Sequence, residues 1–165
     1  MKAAPIKRVP TLFLKAVIVL MGLGVLALCI LALPSIWRGG SEEFPMANQA
    51  AFLIMIGMYA TAAPFFVALW QTLKLLRYID RNTAFSDASV RALRAIKYCA
   101  AIIAVLYVGG IPLLIPIAEA EDAPGLVVIG MVIACAPVAF AVFTAVLQTL
   151  LQSAIDMKSE NDLTI

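Results

Sequence analysis

The sequence predicts an all-α, polytopic membrane protein: four transmembrane helices, both termini on the cytoplasmic side of the cell (inner) membrane, and an amphipathic cytoplasmic helix leading into the third span. Three observations carry this expectation. Hydrophobic residues make up 64% of the 165 positions and charged residues 13%, against roughly 45–50% and about 25% in soluble domains, and a soluble fold this small cannot hide so much apolar surface. The apolar residues fall into four charge-free runs, 16–37, 50–73, 98–118 and 125–151, each at or above the roughly 20 residues that cross a hydrocarbon core. The charges between the runs alternate in sign, which sets the orientation.

Each element follows in order. Backbone polar groups in lipid must be satisfied within the segment, so the runs are read as helices, and the lack of ten-residue alternating segments excludes a barrel. The N-terminal stretch carries Lys2, Lys7, Arg8 and Lys15 with no acid and belongs inside. The first run reads as a retained span. Leu28 stands where a lipoprotein cleavage box needs a small residue before Cys29, and the run continues through Ile30 to Leu33. Its outer connection holds Arg38, Glu42 and Glu43. The second run holds Pro64, the fourth Pro137. Each should kink its helix and free a carbonyl one turn earlier, at Ala60 and Ile133.

The connection 74–97 carries Lys74, Arg77, Arg81, Arg91, Arg94 and Lys97 against Asp80 and Asp87. Residues 78–83 are turn-compatible. Ser86 is then a helix N-cap, with Asp87 in the first turn, placed to pair with Arg91 at i, i+4. At about 100° per residue, Arg91, Arg94, Lys97 and Tyr98 share one arc, while Ala92, Leu93, Ala95, Ile96, Cys99 and Ala100 take the opposite one. This helix runs directly into the third span. Gly109, Gly110, Pro112 and Pro116 weaken regular helix at that span's outer end. Glu119, Glu121 and Asp122 then lead into Asp122-Ala123-Pro124-Gly125, a tight turn opening the fourth helix. The stretch 152–165 is a cytoplasmic tail with Asp156, Glu160 and Asp162 against Lys158. The net charge of +2 therefore averages a basic inner side and an acidic outer one. The whole chain is read as one four-helix domain.

The chemistry inside the spans is sparse. There is no histidine in the chain, which removes imidazole-based nucleophilic catalysis, histidine metal sites and imidazole proton relays. No acid or base lies between the span ends, so proton-coupled transport has no buried carboxylate to use. Cys29, Cys99 and Cys135 stand far apart and form no C-x-x-C pair. The remaining polar residues, Thr61, Gln71, Thr144 and Gln148 with Thr72 and Thr149, are read as packing groups that hydrogen-bond between helices, or as the lining of a polar vestibule. Gly130 with Ala134, and Ala141 with Ala145, permit close helix approach. Ala63-Pro64 leading to Gln71-Thr72-Leu73 and Ala136-Pro137 leading to Gln148-Thr149-Leu150 is the pattern a duplicated hairpin would leave. No catalytic, cofactor-binding or metal-ligating set is assembled by these residues.

Phe85-Ser86, the helix from Val90 to Ile96, the Glu121-to-Gly125 entry to the last span and the terminal Glu160-Asn161-Asp162-Leu163-Thr164-Ile165 resemble the bacterial four-helix membrane proteins grouped as domain-of-unknown-function family two-nine-seven-five. That resemblance implies no activity and no catalytic residue. Members are often encoded beside a small helix-turn-helix regulator, which implies a membrane protein working with a cytosolic transcription factor. The expected function is then a non-enzymatic membrane partner or sensor whose contact surface comprises Arg91, Arg94, Lys97, Glu160 and Asp162, with the acidic tail also able to latch onto the basic helix. The alternative is a small oligomeric transporter or channel with Thr61, Gln71, Thr144 and Gln148 along its path. The partners consistent with the sequence are the lipid bilayer, a cytosolic transcriptional regulator and further copies of the chain. Direct nucleic-acid binding is disfavoured, since the basic residues lie within two turns of the bilayer.

Overall fold

A computed structural model describes residues 4–38 and 45–164. Lys2, Glu42, Glu43 and Ile165, and the side chains of Lys7 and Arg8, lie outside the described residues. All regular structure among those residues is helical. Four helices are long and apolar enough to cross a membrane: Pro10–Ser35, Pro45–Asp80, Asp87–Ala120 and Gly125–Leu163.

The first span is built from α1 (Ala4–Ala27), a π-helical turn (Leu28–Ala32) and α2 (Leu33–Arg38). The second is α3 (Pro45–Asp80). The third joins α4 (Asp87–Gly110) to α5 (Leu114–Ala120) through a 3₁₀ turn at Ile111–Leu113, where the Gly-Gly and Pro112 sequence weakens the α-helix. The fourth is α6 (Gly125–Leu163). Both α3 and α6 continue helically through Pro64 and Pro137. Other turn types sit just before Pro34, where the helix is π, and around Pro112, where it is 3₁₀.

The helices outrun the apolar sequence. At about 1.5 Å per residue, the 36 residues of α3 and 39 of α6 extend about 54 and 58 Å, against a hydrocarbon core of about 30 Å. An apolar run marks where lipid is, and a helix ends only where its backbone bonds are capped. The stretch 152–165, read as a tail, is thus helical as far as Leu163.

Two turns close the helices in the same way. Thr83 N–H donates to the Tyr78 carbonyl at 2.8 Å and Asn82 N–H to that of Ile79 at 3.1 Å. At the opposite end Ala123 N–H donates to Ala118 at 2.8 Å and Asp122 N–H to Glu119 at 3.4 Å. Each is a paired 6→1 and 5→2 helix stop, whose pivot has positive φ: 57° at Asn82 and 51° at Asp122. Asn and Asp are the non-glycine residues that best tolerate that conformation.

Packing runs in a row. α4 lies against α3 on one side and α6 on the other, α1 packs on α3, and α1 and α6 do not pack appreciably on one another. The end where the first span begins, the 81–86 turn lies and α6 finishes carries Lys15, Lys74, Arg77, Arg81, Arg91, Arg94, Lys97 and Lys158; it is called the basic end below. Arg38, Glu119, Glu121 and Asp122 mark the opposite, acidic end.

Candidate functional site

The basic end is assembled around the start of α4. Ser86 is the N-cap: its backbone is extended (φ −139°, ψ 157°) and its hydroxyl accepts from Ser89 N–H at 3.4 Å. Ser89, the one described residue with no exposed surface, places its hydroxyl 3.4 Å from the Thr83 carbonyl and 3.3 Å from Ser86 Oγ. The turn and the helix start are therefore one hydrogen-bonded unit. Beyond it, Val90, Ala92, Leu93, Ile96, Cys99 and Ala100 are buried, while Arg91, Arg94 and Tyr98 are exposed and Lys97 is half-buried. This is the amphipathic helix the sequence predicts, in the expected rotational phase.

Burial concentrates here. Leu76 of α3 joins those α4 residues, whereas the buried residues of the fourth span are Ala134 and Thr144. The difference is physical: where helices project into water, apolar faces are driven together, but within lipid that driving force is absent. The ion pair in this region joins Lys15 Nζ to Asp80 Oδ2, tying the beginning of the first span to the end of α3. The expected Asp87–Arg91 pair does not form among the described residues, because the side chains do not come within ion-pair distance.

The acidic residues of α6 stand apart from the basic helix. Asp156, Glu160 and Asp162 are exposed on the last turns of α6, where carboxylates oppose the negative end of the helix dipole. Asp156 takes a 3.2 Å hydrogen bond from Gln152 Nε2 within the helix. No described ion pair joins these acids to Arg91, Arg94 or Lys97, so the latch envisaged from the sequence is not made.

The polar groups within the spans behave differently from expectation. The Thr61 hydroxyl donates to the Met58 carbonyl at 2.7 Å, Thr72 to Ala68 at 2.8 Å, Thr144 to Phe140 at 2.8 Å and Thr149 to Ala145 at 3.1 Å. Each satisfies its donor within its own helix, the local alternative open to any helical threonine, so these hydroxyls donate no bond between helices. Gln71 makes no hydrogen bond among the described residues, and Gln148 Oε1 is buried without a partner. Of the four candidate residues only Thr61 lines a cavity of about 250 Å³, whose walls also include Leu28, Cys29, Ala32, Phe65 and Tyr107.

One interhelical bond in the spans was missed in the sequence. Leu33 N–H donates to Leu28, five residues back, leaving the Cys29 carbonyl without its usual partner. Its next possible donor, Pro34, has no N–H. The Tyr59 hydroxyl of α3 donates to that carbonyl at 2.8 Å. Pro34 was the available signal, but a proline announces a freed carbonyl and not which helix will answer it. Cys29, Cys99 and Cys135 are free thiols, and no three of the described Cys, Asp or Glu residues cluster to hold a metal.

With this geometry in view, residues 35–165 match the family described as "Protein of unknown function (DUF2975)". The chain belongs to that family. It is also 52% identical over 158 residues to the "Uncharacterized membrane protein YoaS" of Bacillus subtilis (strain 168), covering 96% of this chain and 99% of that protein. No solved structure matches. In this member of DUF2975 the matched region begins immediately after Pro34 and contains α3 to α6; most of the first span precedes it. That span is tied on by the Lys15–Asp80 ion pair near one end and the Tyr59–Cys29 bond near the other.

Tyr59→Phe is expected to lower stability by about 1 kcal/mol, the usual scale of a hydrogen bond between membrane helices. In a Pro34→Ala background the restored N–H removes the need for the hydroxyl, so the same substitution should then be nearly neutral. Denaturation midpoints in mixed micelles for the four proteins of this cycle check the prediction, and equal losses in both backgrounds would refute the assignment.

Proposed function

We propose that the protein is a non-enzymatic membrane partner, its basic end facing the cytoplasm and docking a soluble regulatory protein of the helix-turn-helix type. The observation that supports this most is the continuation of the helices beyond the apolar runs: α4 begins, and α6 ends, in polar helix. Arg91 and Arg94 on one helix and Glu160 and Asp162 on another are exposed and make no ion pair among the described residues. A surface offering both signs of charge on rigid supports suits a protein partner, because complementary charge sets register and speeds encounter. A histidine-free sequence supports the non-enzymatic part of the reading. The transporter alternative has less support, since the Thr144 hydroxyl is engaged by Phe140 and only Thr61 of the proposed path reaches the cavity.

The test is binding of the full-length protein, in nanodiscs, to a soluble helix-turn-helix regulator of the same organism. Reversing both Arg91→Glu and Arg94→Glu, or ending the chain after Ser159, is expected to weaken binding by about tenfold or more, the scale of placing like charges across an interface. Unchanged binding in both variants would remove the docking surface proposed here.

A further inference from the structure

We infer that the second and third spans carry, at their basic end, a collar for anionic phospholipid headgroups in which Arg77 over Trp70 and Lys97 over Tyr98 recognise the lipid phosphate. Its recognising cations, Arg77 and Lys97, differ from those of the docking reading, Arg91 and Arg94, which share the α4 stripe with Tyr98.

The sequence spacing makes two stripes. Trp70, Lys74 and Arg77 follow one another on α3 at intervals of four and three, so they lie along one face, and Arg81 follows four residues on, in the turn just past the helix end. On α4, Asp87, Arg91, Arg94 and Tyr98 repeat those intervals in the opposite chain direction. Because α3 and α4 are joined by the short turn after Asp80, both aromatics lie about 15 Å from the tip of the hairpin. Trp70 is 54% exposed and Tyr98 58% exposed. Large rings with a polar atom, exposed at one shared depth, mark the headgroup level of a bilayer.

The cations stand just above that level. The Arg77 guanidinium carbon is 5.9 Å from the Trp70 ring centre, and Lys97 Nζ is 4.9 Å from that of Tyr98. A ring contact holds the cation in place without consuming its charge. Neither cation, nor Lys74, makes an ion pair among the described residues, and Asp80, the acid at this end of α3, is engaged by Lys15. Arg77 retains donors in the planar arrangement that fits a phosphate. A zwitterionic lipid carries its own cation beside the phosphate and gains less from these groups than an anionic lipid does.

The chain has two tryptophans, so Trp37→Phe leaves Trp70 as the sole emitter. The full-length variant is placed in phosphatidylcholine vesicles containing an equal fraction of acyl-brominated lipid, either phosphatidylcholine or phosphatidylglycerol, and quenching is taken relative to unbrominated vesicles. Brominated phosphatidylglycerol is expected to act as if enriched about fivefold around Trp70, the preference one uncompensated cation gives near the surface. Arg77→Gln with Lys97→Gln should remove that preference. The charge-conserving pair Arg77→Lys with Lys97→Arg should keep it, as should Arg38→Gln at the opposite end, each with unchanged helix content by circular dichroism. Equal quenching by the two lipids, or a preference surviving the double glutamine variant, overturns the collar. Loss of the preference on replacing chloride by inorganic phosphate at equal ionic strength would show free phosphate displacing the headgroup, and overturns the collar in favour of a site for free phosphate.

Discussion

Leu93→Ala is expected to lower the stability of the protein by about 2–4 kcal/mol, within the range for emptying a well-packed leucine site. Leu93 is 7% exposed, on the face of α4 shared with Val90 and Ile96, which are 3% and 4% exposed. Twelve residues along the same helix, Val105 is 72% exposed, and Val105→Ala should cost less than about 0.5 kcal/mol, as for surface changes away from packed features. The contrast has a solvent basis. Leu93 lies between the helix start and Tyr98, ahead of the apolar run 98–118, in a charged stretch where leaving water drives burial. Val105 faces lipid, which covers an alanine as readily as a valine. Surfactant-induced unfolding of the two variants, followed by circular dichroism, measures the difference. A Leu93→Ala loss no larger than that of Val105→Ala would show that the basic end is not the protein's packed core.

That core was legible in the sequence, and the reason is periodicity. Arg91, Arg94 and Tyr98 could be assigned to one face and Ala92, Leu93, Ile96, Cys99 and Ala100 to the other because a charged residue on a helix half in water has one acceptable direction. Ser86 as N-cap followed from its side chain and the acid after it. The four spans were legible because charges stop at their ends. Other features depend on partners from distant sequence. Tyr59 answers the carbonyl freed before Pro34 from thirty residues away, and Asp80 meets Lys15 across sixty-five. The threonines were misread for the opposite reason. A hydroxyl in a helix always has a carbonyl of its own helix within reach, so Thr61 and Thr144 had no need of a neighbouring helix. The continuation of α6 to Leu163 was hidden because a polar, helix-compatible segment such as Ser153 to Leu163 has no hydrophobic stripe to announce it. Its helical state is inherited from the span it extends.

Gly130→Leu is expected to cost about 1–3 kcal/mol, the range for forcing extra atoms into a packed site, with its damage confined to the acidic end. A Cβ at position 130 would lie 2.2 Å from Leu114 Cδ1 and 3.7 Å from Leu114 Cγ. Leu114 is thus seated where α6 has no side chain, just after the 3₁₀ turn at Ile111–Leu113. The glycine leaves room for the end of the Leu114 side chain and does not serve backbone freedom, as it lies within a regular helix. Leu114→Ala should therefore relieve at least half of the loss in Gly130→Leu, although Leu114→Ala alone removes a contact. In the Leu114→Ala background, Gly130→Ala should turn stabilising, because alanine exceeds glycine in helix propensity by about 1 kcal/mol once the clash is gone. Unfolding midpoints of these variants read the coupling, and a Gly130→Leu loss that Leu114→Ala does not relieve would reject the contact. Gly130 packs at the end opposite the 81–86 turn, near the start of α6, and α4 packs on both α3 and α6. A loosened contact at the acidic end should accordingly leave the lipid preference at Trp70 unchanged, whereas a change there would mean that the two ends of the row move as one body.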